Sequence, residues 1–557
     1  MPVEKKEQRR DDTCRAGLAC LGGAILVMMI LFTHVAQANS RVSRAGVRLS
    51  DSGYAAVLQA LPATTDVRVG SRIHDSGNGS SAAMETGASS PEVYSRLAIP
   101  PASVYSDVYG LPSDRESVAP TYAFVPSIAA RSRPHVPMLG VALERYDQES
   151  GLEEALGLGT HWLRRWQHIS WRDVEPNEGE YHWEELAGLE QELLRLRERG
   201  AEPLLVIQMT PPWAQAVEPY ACGPIRADKF DAFAAFMEEL VTRYGPSTPH
   251  GVRYWQLGNE LDVAPGEVSP DAVFGCWGDR SDPYFGGEHY GEMLKAVYPR
   301  MKLADPEAQV MMGGLLLECD PYTVTVGYEC SEELRGYFLE GVLLADGGDY
   351  LDAIDVHSYA QMRPDLPSRM HSYYGWSGEH GGTGLPEKVA FVRQVLEGYG
   401  YDSMPVFAGE LALKCEAPTV ECYDVGAAFV PRAYAEAYGL NLLGGMYYAM
   451  ILEFNYKGLL LPDFTPRPAY WAYQFLSREL MGRQYVGPVN DYGAVTGHAF
   501  DGGRSRRVEI LWSTDGTDQE IDVPPDLVVS YDKFGTEIAP VGGHLTVGWS
   551  PVYLELE

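Results

Sequence analysis

Residues 203–209 read PLLVIQM, and residues 230–240 read FDAFAAFMEEL. The first run is short and apolar and contains β-branched residues, which is typical of a strand buried on both faces. The second run has the 3.6-residue period of a helix, with one apolar face formed by Phe233, Phe236, Met237 and Leu240. A buried strand followed by an amphipathic helix is the unit of a parallel α/β sheet, so this stretch predicts an α/β fold.

The same alternation repeats along residues 136–484. Eight apolar runs are each followed by a helical segment, and these strand candidates lie at 138–143, 160–167, 203–209, 252–258, 309–317, 353–359, 405–411 and 444–451. Eight strand–helix units predict a (β/α)8 TIM barrel. A doubly wound parallel sheet is the alternative. To bind a nucleotide, such a sheet usually needs a glycine-rich phosphate loop, and neither GxGxxG nor GxxxxGK[ST] occurs here.

Beyond the predicted barrel the pattern changes to a period of two. Val508, Ile510 and Trp512 alternate with their neighbours, and turns such as Asp515-Gly516 separate the runs. This alternation predicts a small all-β sandwich domain at residues 485–557.

The overall composition limits the class of ligand. The chain has 557 residues, of which 45% are apolar and 22% charged, as in an ordinary globular protein. Acidic residues outnumber basic ones by 77 to 44, which gives a formal net charge of −33. This balance disfavours nucleic acid and anionic lipid, because both are bound through Lys and Arg. It favours a soluble protein that acts on a neutral ligand.

The N-terminus has the pattern of an export signal. Residues 1–15 are rich in charge, residues 16–40 contain no Asp, Glu, Lys or Arg, and Ala36-Gln37-Ala38 fits a signal-peptidase site. Residues 1–38 are therefore predicted to be a cleaved signal peptide. An uncleaved membrane anchor at residues 16–38 is the alternative, because about 20 apolar residues span a bilayer. Either one places the rest of the chain in the extracellular space or at the cell surface.

Residues 39–135 follow this signal and are rich in Ser, Ala, Gly and Pro. This composition predicts a mostly irregular linker between the N-terminal segment and the folded part of the chain.

Cysteine usage agrees with export. Cys14 and Cys20 lie in the signal, and the six others are Cys222, Cys276, Cys319, Cys330, Cys415 and Cys422. An even number in an exported chain predicts disulfides. Short spacing favours the pairs 319–330 and 415–422 and leaves 222–276, although other connectivities stay open. No CxxC and no Cys/His cluster with zinc spacing occurs, so no metal is expected.

Two glutamates stand where a barrel carries its active site, at the carboxyl ends of the strands. Gly258-Asn259-Glu260 ends the fourth predicted strand, and Gly409-Glu410 ends the seventh. Glycoside hydrolysis needs one protonated and one ionised carboxyl group on either side of the scissile bond. A single glutamate at a strand end would more often serve as a cap or a salt-bridge partner, but the pair favours catalysis.

These motifs resemble the clan A glycoside hydrolases, a superfamily of retaining (β/α)8 enzymes, and in particular family 39 and related members with a C-terminal β-sandwich. Gly258-Asn259-Glu260 is similar to the family's acid/base segment, and residues 407–410 (FAGE) to its nucleophile segment. Residues 171–183 and 210–214 (TPPWA) resemble the segments after strands two and three.

Two departures leave the subfamily and the floor of the sugar subsite open. Leu261 follows Asn259-Glu260 where many members of the clan have Pro. Tyr447 and Tyr448 stand in the eighth strand, where a Trp is common in the family.

The resemblance implies a retaining glycosidase that acts on a carbohydrate substrate without metal or organic cofactor, with Glu260 as acid/base and Glu410 as nucleophile. Supporting roles fall to Asn259 at the sugar 2-hydroxyl, Arg164 beside Glu410, and His357 and Tyr359 at the nucleophile or a sugar hydroxyl. Stacking on sugar rings is expected of Trp213, Trp277 and Trp376. Arg165 points to the opposite face of its strand and is expected to form a salt bridge.

The rival interpretation is a non-catalytic carbohydrate-binding or cell-wall protein on a degenerate barrel. The sequence leaves open the sugar, the linkage and the oligomeric state.

Overall fold

The computed structural model describes residues 136–318, 333–377, 380–502 and 507–557. The predicted signal or anchor, the linker at 39–135, Cys319 and Cys330 lie outside the described residues. Among the helices of the described ranges, none has both the length and the apolarity needed to cross a bilayer.

A nine-stranded sheet forms the centre of the fold. Its strands are β1 (Val136–Leu143), β2 (Thr160–Ser170), β3 (Glu202–Gln208), β4 (Tyr254–Leu257), β5 (Gln309–Met312), β6 (Ile354–Met362), β7 (Met370–Ser372), β8 (Val406–Lys414) and β9 (Gly445–Tyr447). They follow the order β5-β4-β3-β2-β1-β9-β8-β6-β7, and all pairs are parallel except the β6–β7 hairpin. Each of the eight predicted strands therefore has a counterpart in this sheet.

The regular ladder is interrupted between β5 and β6. Two isolated parallel bridges, Met311 to Ala353 and Leu315 to Val356, join these strands there. The interruption lies where Gly314 passes the ring of His357, at a distance that leaves no room for a β-carbon. The structure is a mixed α/β fold on a large parallel sheet, and the expected closure into a continuous eight-stranded ladder is not formed.

Helices follow most of the strands and bury an apolar face against the sheet. They are α1 (Leu152–Gly157), α2 (Trp171–Val174), α3 (Ala187–Arg199), α4 (Phe230–Tyr244), α5 (Gly287–Ala304), α6 (Phe338–Leu344), α7 (Leu385–Gly398), α8 (Val420–Gly439) and α9 (Pro468–Leu480). The four residues predicted to form the apolar face of α4 are all buried. This burial is the physical reason that the 3.6-residue period in the sequence marks a helix.

The C-terminal part is built from two antiparallel sheets. Their strands are β10 (Arg483–Val489), β11 (Val495–Gly502), β12 (Arg507–Ser513), β13 (Gln519–Asp522), β14 (Leu527–Tyr531), β15 (His544–Val547) and β16 (Val552–Leu556). One sheet has the order β10-β11-β12-β16-β14, and the other pairs β13 with β15. Residues of both sheets share a small hydrophobic core, as expected for a β domain. The domain boundaries stay a prediction.

Alternate side chains of strand β12 pack into two different hydrophobic cores. Val508, Ile510 and Trp512 pack into the large core of the chain. Leu511, on the opposite face, packs into the small core between the antiparallel sheets. Both faces of this strand are therefore buried.

Two disulfides are present among the described residues, Cys222–Cys276 and Cys415–Cys422. They confirm two of the three predicted pairs. Cys415 directly follows β8 and Cys422 lies in the first turn of α8, so the second disulfide closes the loop between these elements.

The packing of α9 against the antiparallel sheet gives a prediction for stability. The ring of Phe475 meets the rings of Tyr553 and Tyr531 edge to face, with centroids 4.8 and 5.5 Å apart. Phe475→Ala should leave a cavity and lower the free energy of unfolding by about 3–5 kcal/mol. Leu303→Ala, at an apolar residue of α5 that is 75% exposed, should change it by less than about 0.5 kcal/mol. Urea unfolding followed by circular dichroism measures both, and equal losses would contradict this packing.

Candidate active site

Polar side chains of four strands converge toward the carboxyl ends of the parallel sheet. Successive side chains of a strand point to opposite faces, so Asp355, His357 and Tyr359 of β6 lie on one face. They meet Arg164 from β2 and Glu410 from β8. Gln256 in β4, with Asn259 and Glu260 after it, completes the cluster.

A β-bulge orients Glu410. Val356 of β6 pairs with Ala408, but His357 pairs with Glu410, so Gly409 is the extra residue of β8. The backbone N–H of Gly409 donates to Asp355 Oδ1 at 2.5 Å. A β-carbon on Gly409 would lie 2.1 Å from Asp355 Oδ2, so only glycine allows this approach. The bulge therefore depends on the Gly that precedes the glutamate in the sequence.

Arg164 connects the site through three charge-assisted or polar hydrogen bonds. Its Nη1 donates to Glu410 Oε1 at 2.7 Å, Nη2 to Asn259 Oδ1 at 2.8 Å, and Nε to Gln256 Oε1 at 3.0 Å. The side chain is buried, and a buried guanidinium is tolerated only when its donors are paired in this way. The neighbouring Arg165 points the other way and pairs with Glu192 at 2.9 Å, as predicted from the sequence.

Glu410 is held in its ionised form. Burial disfavours the charge, but His357, Arg164 and a hydrogen bond from the Tyr359 hydroxyl outweigh it, so the pKa of Glu410 lies below its ordinary value. Burial and the charge of Glu410 raise the pKa of Tyr359, so its hydroxyl stays a donor at neutral pH.

His357 lies between the two glutamates. Its Nδ1 is 3.0 Å from Glu260 Oε1 and 3.7 Å from Glu410 Oε2, and its Nε2 is 3.6 Å from Asp355 Oδ2. Burial alone would lower the pKa of His357, but the surrounding carboxylates raise it to about 10. The imidazole is therefore positively charged at neutral pH and bridges three carboxylates.

Glu260 has an unusual backbone conformation, with a φ of 50° in the left-handed region. A residue with a β-carbon adopts this region only when the surrounding structure compensates the cost. One carboxylate oxygen of Glu260, one of Glu410 and a ring nitrogen of His357 all lie within 4.8 Å of one another. The two glutamates predicted from strand ends that are 150 residues apart in the sequence are thus brought face to face.

The same three side chains form a possible set of metal ligands. Both oxygens of Glu410 already accept hydrogen bonds, from Arg164 and from Tyr359. His357 would have to lose its proton before a ring nitrogen could bind a cation. These contacts suit an anionic carboxylate that reacts with an organic substrate better than they suit a metal site.

The three predicted stacking tryptophans have different environments. Trp277 and Trp376 are each 7% exposed and belong to the hydrophobic core. Trp277 packs edge to face on Tyr290, and Trp376 Nε1 donates to Leu317 O at 2.6 Å. Their buried rings offer no surface to a sugar, so this expectation is wrong for both. Trp213 is half-buried, and its stacking role stays a prediction.

Three supporting residues were not singled out from the sequence. Gln256 and Asp355 hydrogen-bond each other and tie Arg164 to the Gly409 bulge. Lys388, on α7, is buried and donates to the backbone carbonyl of His357 at 2.6 Å. Asp355 could have been predicted as a site residue from the sequence, because it precedes His357 by two residues and so lies on the same face of the strand. Lys388 was not, because its position in α7 shows no link to β6.

Comparisons with known proteins agree with this architecture. No family model matches the chain, and no curated protein matches it either. Among solved structures, the fold is similar to that of a family 39 glycoside hydrolase from the gut symbiont Bacteroides cellulosilyticus, at 22% identity over 78% of this chain and 84% of that chain, with a TM-score of 0.58. A monomeric β-xylosidase from Caulobacter crescentus matches at 15% identity over 77% of this chain and 98% of that chain, with a TM-score of 0.48. The likeness to the family 39 glycoside hydrolase shows that the two chains share a fold.

The charge on His357 predicts a pH dependence of stability. The folded protein raises its pKa from 6.5 to about 10, so its contribution is complete below the lower value and is lost as the pH rises through the upper one. Relative to His357→Gln, the wild type should therefore lose stability between about pH 6.5 and 10. Urea unfolding of both proteins across this range measures the difference, and a difference independent of pH would contradict a charged His357.

Proposed function

We propose that this chain is a retaining glycoside hydrolase on a (β/α)8 barrel with an accessory β domain. The observation that carries the proposal is the asymmetric pair of carboxylates. Arg164 and Tyr359 hydrogen-bond to Glu410 and hold it ionised, whereas Glu260 faces it across the site without either contact. Glycoside hydrolysis needs one carboxylate as nucleophile and one carboxyl group as proton donor.

The spacing of the pair supports retention of configuration. Retaining enzymes place their two carboxyl groups about 5–5.5 Å apart, whereas inverting enzymes leave about 6.5–9.5 Å for a water molecule. One carboxylate oxygen of Glu260 and one of Glu410 lie within 4.8 Å of each other. This gap favours direct attack by a carboxylate over attack by an interposed water.

The reaction then has two steps. Glu410 attacks the anomeric carbon, the bond to the leaving oxygen breaks, and Glu260 gives its proton to that oxygen. The product is an ester between the sugar and Glu410. In the second step Glu260 takes a proton from water, the water oxygen attacks the anomeric carbon, and the ester bond breaks to restore the Glu410 carboxylate.

Two neighbours position these groups. Arg164 donates to Asn259 Oδ1, so the amide Nδ2 of Asn259 is the group that can donate to a sugar 2-hydroxyl. His357 donates from Nδ1 toward Glu260 and keeps its carboxyl group directed at Glu410.

The rival function, a non-catalytic carbohydrate-binding or cell-wall protein, is less well supported. Such a protein has no need for a buried carboxylate whose pKa is lowered by an arginine and a charged histidine. The shared fold with a family 39 glycoside hydrolase points the same way.

The proposal includes export. The disulfides 222–276 and 415–422 support folding in an oxidising compartment outside the cytoplasm. Membrane attachment would then depend on residues 1–38, as a signal or as an anchor. N-terminal sequencing of the protein recovered from the medium and from the membrane fraction distinguishes a cleaved signal from a retained anchor.

The two glutamates should respond differently to substitution. Glu410→Gln should abolish turnover of aryl β-glycosides, because no other group can form the sugar ester. Glu260→Gln should lower kcat/KM by about 10²- to 10⁴-fold for poor leaving groups and much less for activated ones, which need little protonation. Rates are measured on a panel of aryl β-glucosides and β-xylosides whose leaving groups differ in acidity.

Glu192→Gln is the matched control, because Glu192 forms a buried pair with the neighbouring arginine of β2 on the other face. It should keep kcat near the wild-type value. Equal, small losses in all three variants would contradict the assignment of Glu260 and Glu410, and absence of turnover by the wild type would favour the non-catalytic protein.

A further inference from the structure

Two lysines border the carboxylate pair and have no role in the reaction described above. Lys457 follows β9 and is 4% exposed, and Lys414 ends β8 and is partly buried. Among the described residues, neither ammonium group has a carboxylate or carbonyl partner, and their close contacts are with aromatic rings. We call Lys414 and Lys457 the lysine pair.

The lysine pair lies beside the predicted nucleophile. Both ammonium groups lie on the ring of Tyr359, with Nζ of Lys457 4.5 Å and Nζ of Lys414 4.8 Å from its centroid. The hydroxyl of the same ring donates to Glu410. The two positive charges are thus one aromatic ring away from the reacting carboxylate.

The lysine pair also reaches solvent. Lys414 Nζ is 3.4 Å from the ring centroid of Tyr373, which is 41% exposed. Lys457 Nζ is 5.5 Å from the ring of Phe454, which is 69% exposed. The lysine pair therefore lies between the exposed rings of Tyr373 and Phe454 and the Tyr359 ring that contacts Glu410.

The carboxylates of the site already have cationic partners. Arg164 pairs with Glu410, and His357 lies between Glu260, Glu410 and Asp355, so the ammonium groups of the lysine pair are left without an anionic partner among the described residues. Burying an ammonium group without a partner is unfavourable. Burial, followed by the charge of Lys457, lowers the pKa of Lys414 to about 7, and burial lowers the pKa of Lys457. An anionic ligand would supply the missing partner.

We propose that the lysine pair binds an anionic substituent of the sugar, a carboxylate or a sulfate ester, and that the enzyme acts on acidic glycans. This inference rests on the proposed glycosidase function and adds its substrate class. It revises the expectation of a neutral ligand drawn from the net charge of −33. At physiological ionic strength surface charges are screened over about 8 Å, so the local lysines determine which ligand the site favours.

The other explanation, that the lysines only keep Glu410 ionised, has less support. Arg164 Nη1 at 2.7 Å and His357 Nδ1 at 3.7 Å already do so by direct contact. The two explanations also predict different results. Loss of a lysine that served only Glu410 would lower kcat/KM equally for neutral and anionic substrates. Loss of a lysine that binds the substituent would lower kcat/KM for anionic substrates alone.

The test compares aryl β-glycosides that share one leaving group and differ only at C6: glucoside, glucuronide and 6-sulfoglucoside, with the matching galactoside series. The wild type should show a higher kcat/KM for one anionic member than for its neutral partner, by about 10- to 100-fold. Lys457→Met should remove this preference while turnover of the neutral partner changes little, and Lys457→Arg should restore part of it. Comparison of the glucuronide with the sulfate identifies which anion the site takes.

Lys302→Met is the matched control. Lys302 also lies near an aromatic ring, with Nζ 5.0 Å from the ring centroid of Tyr298, but it pairs with Asp352 at 2.8 Å. It lies near the C-terminal end of α5, ahead of β5, and should leave the ratio of anionic to neutral turnover unchanged.

The possible outcomes distinguish failure of the acidic-substrate inference from failure of the proposed glycosidase function. A neutral glycoside that is cleaved as well as its anionic partners overturns the inference and leaves the glycosidase function intact. An equal loss of kcat/KM on neutral and anionic glycosides in Lys457→Met also overturns the inference and leaves the glycosidase function intact. If neither these series nor the aryl β-xylosides are hydrolysed, the proposed function itself is contradicted.

Discussion

The buried contact between Arg164 and Glu410 is the interaction on which the rest of the site depends. Its two charges lie 2.7 Å apart in the protein interior. Taking such a pair out of water is unfavourable unless the remaining donors are satisfied. Gln256 and Asn259 meet this requirement, and both belong to the fourth strand or the turn after it. One guanidinium thereby joins β2, β4 with the turn after it, and β8 around the two glutamates.

Close packing against glycine fixes the remaining geometry. Gly409 lets Asp355 approach the bulge before Glu410, and Gly314 leaves room for the ring of His357. In both places a β-carbon would lie 2.0–2.1 Å from a polar side-chain atom, far inside van der Waals contact, so the backbone and the polar side chain determine each other's position. The interruption of the sheet between β5 and β6 has the same origin, because the backbone beside Gly314 accommodates the imidazole ring.

The sequence predicted those features that depend on local periodicity and missed those that depend on distant partners. Apolar runs located the eight strands, and Gly-Asn-Glu and Gly-Glu at two strand ends located the paired carboxylates. An aromatic residue in a loop has the same local signal whether it faces a sugar or the core, so Trp277 and Trp376 were misassigned; contacts with Tyr290 and Leu317 decide their burial. Lys414 and Lys457 come together only through the ring of Tyr359, which no spacing reveals.

The proposed mechanism requires that Glu410 form a covalent bond with the sugar. Fluorine at C2 destabilises the positively charged transition states of both steps, and a good leaving group restores the rate of the first step only, so such a glycoside forms the ester but the ester hydrolyses slowly. Mass spectrometry of the digested protein should find one added sugar on the peptide that contains Glu410, and no label in Glu410→Gln. A label on another carboxylate, or turnover with inversion of the anomeric configuration and no label, would contradict the account.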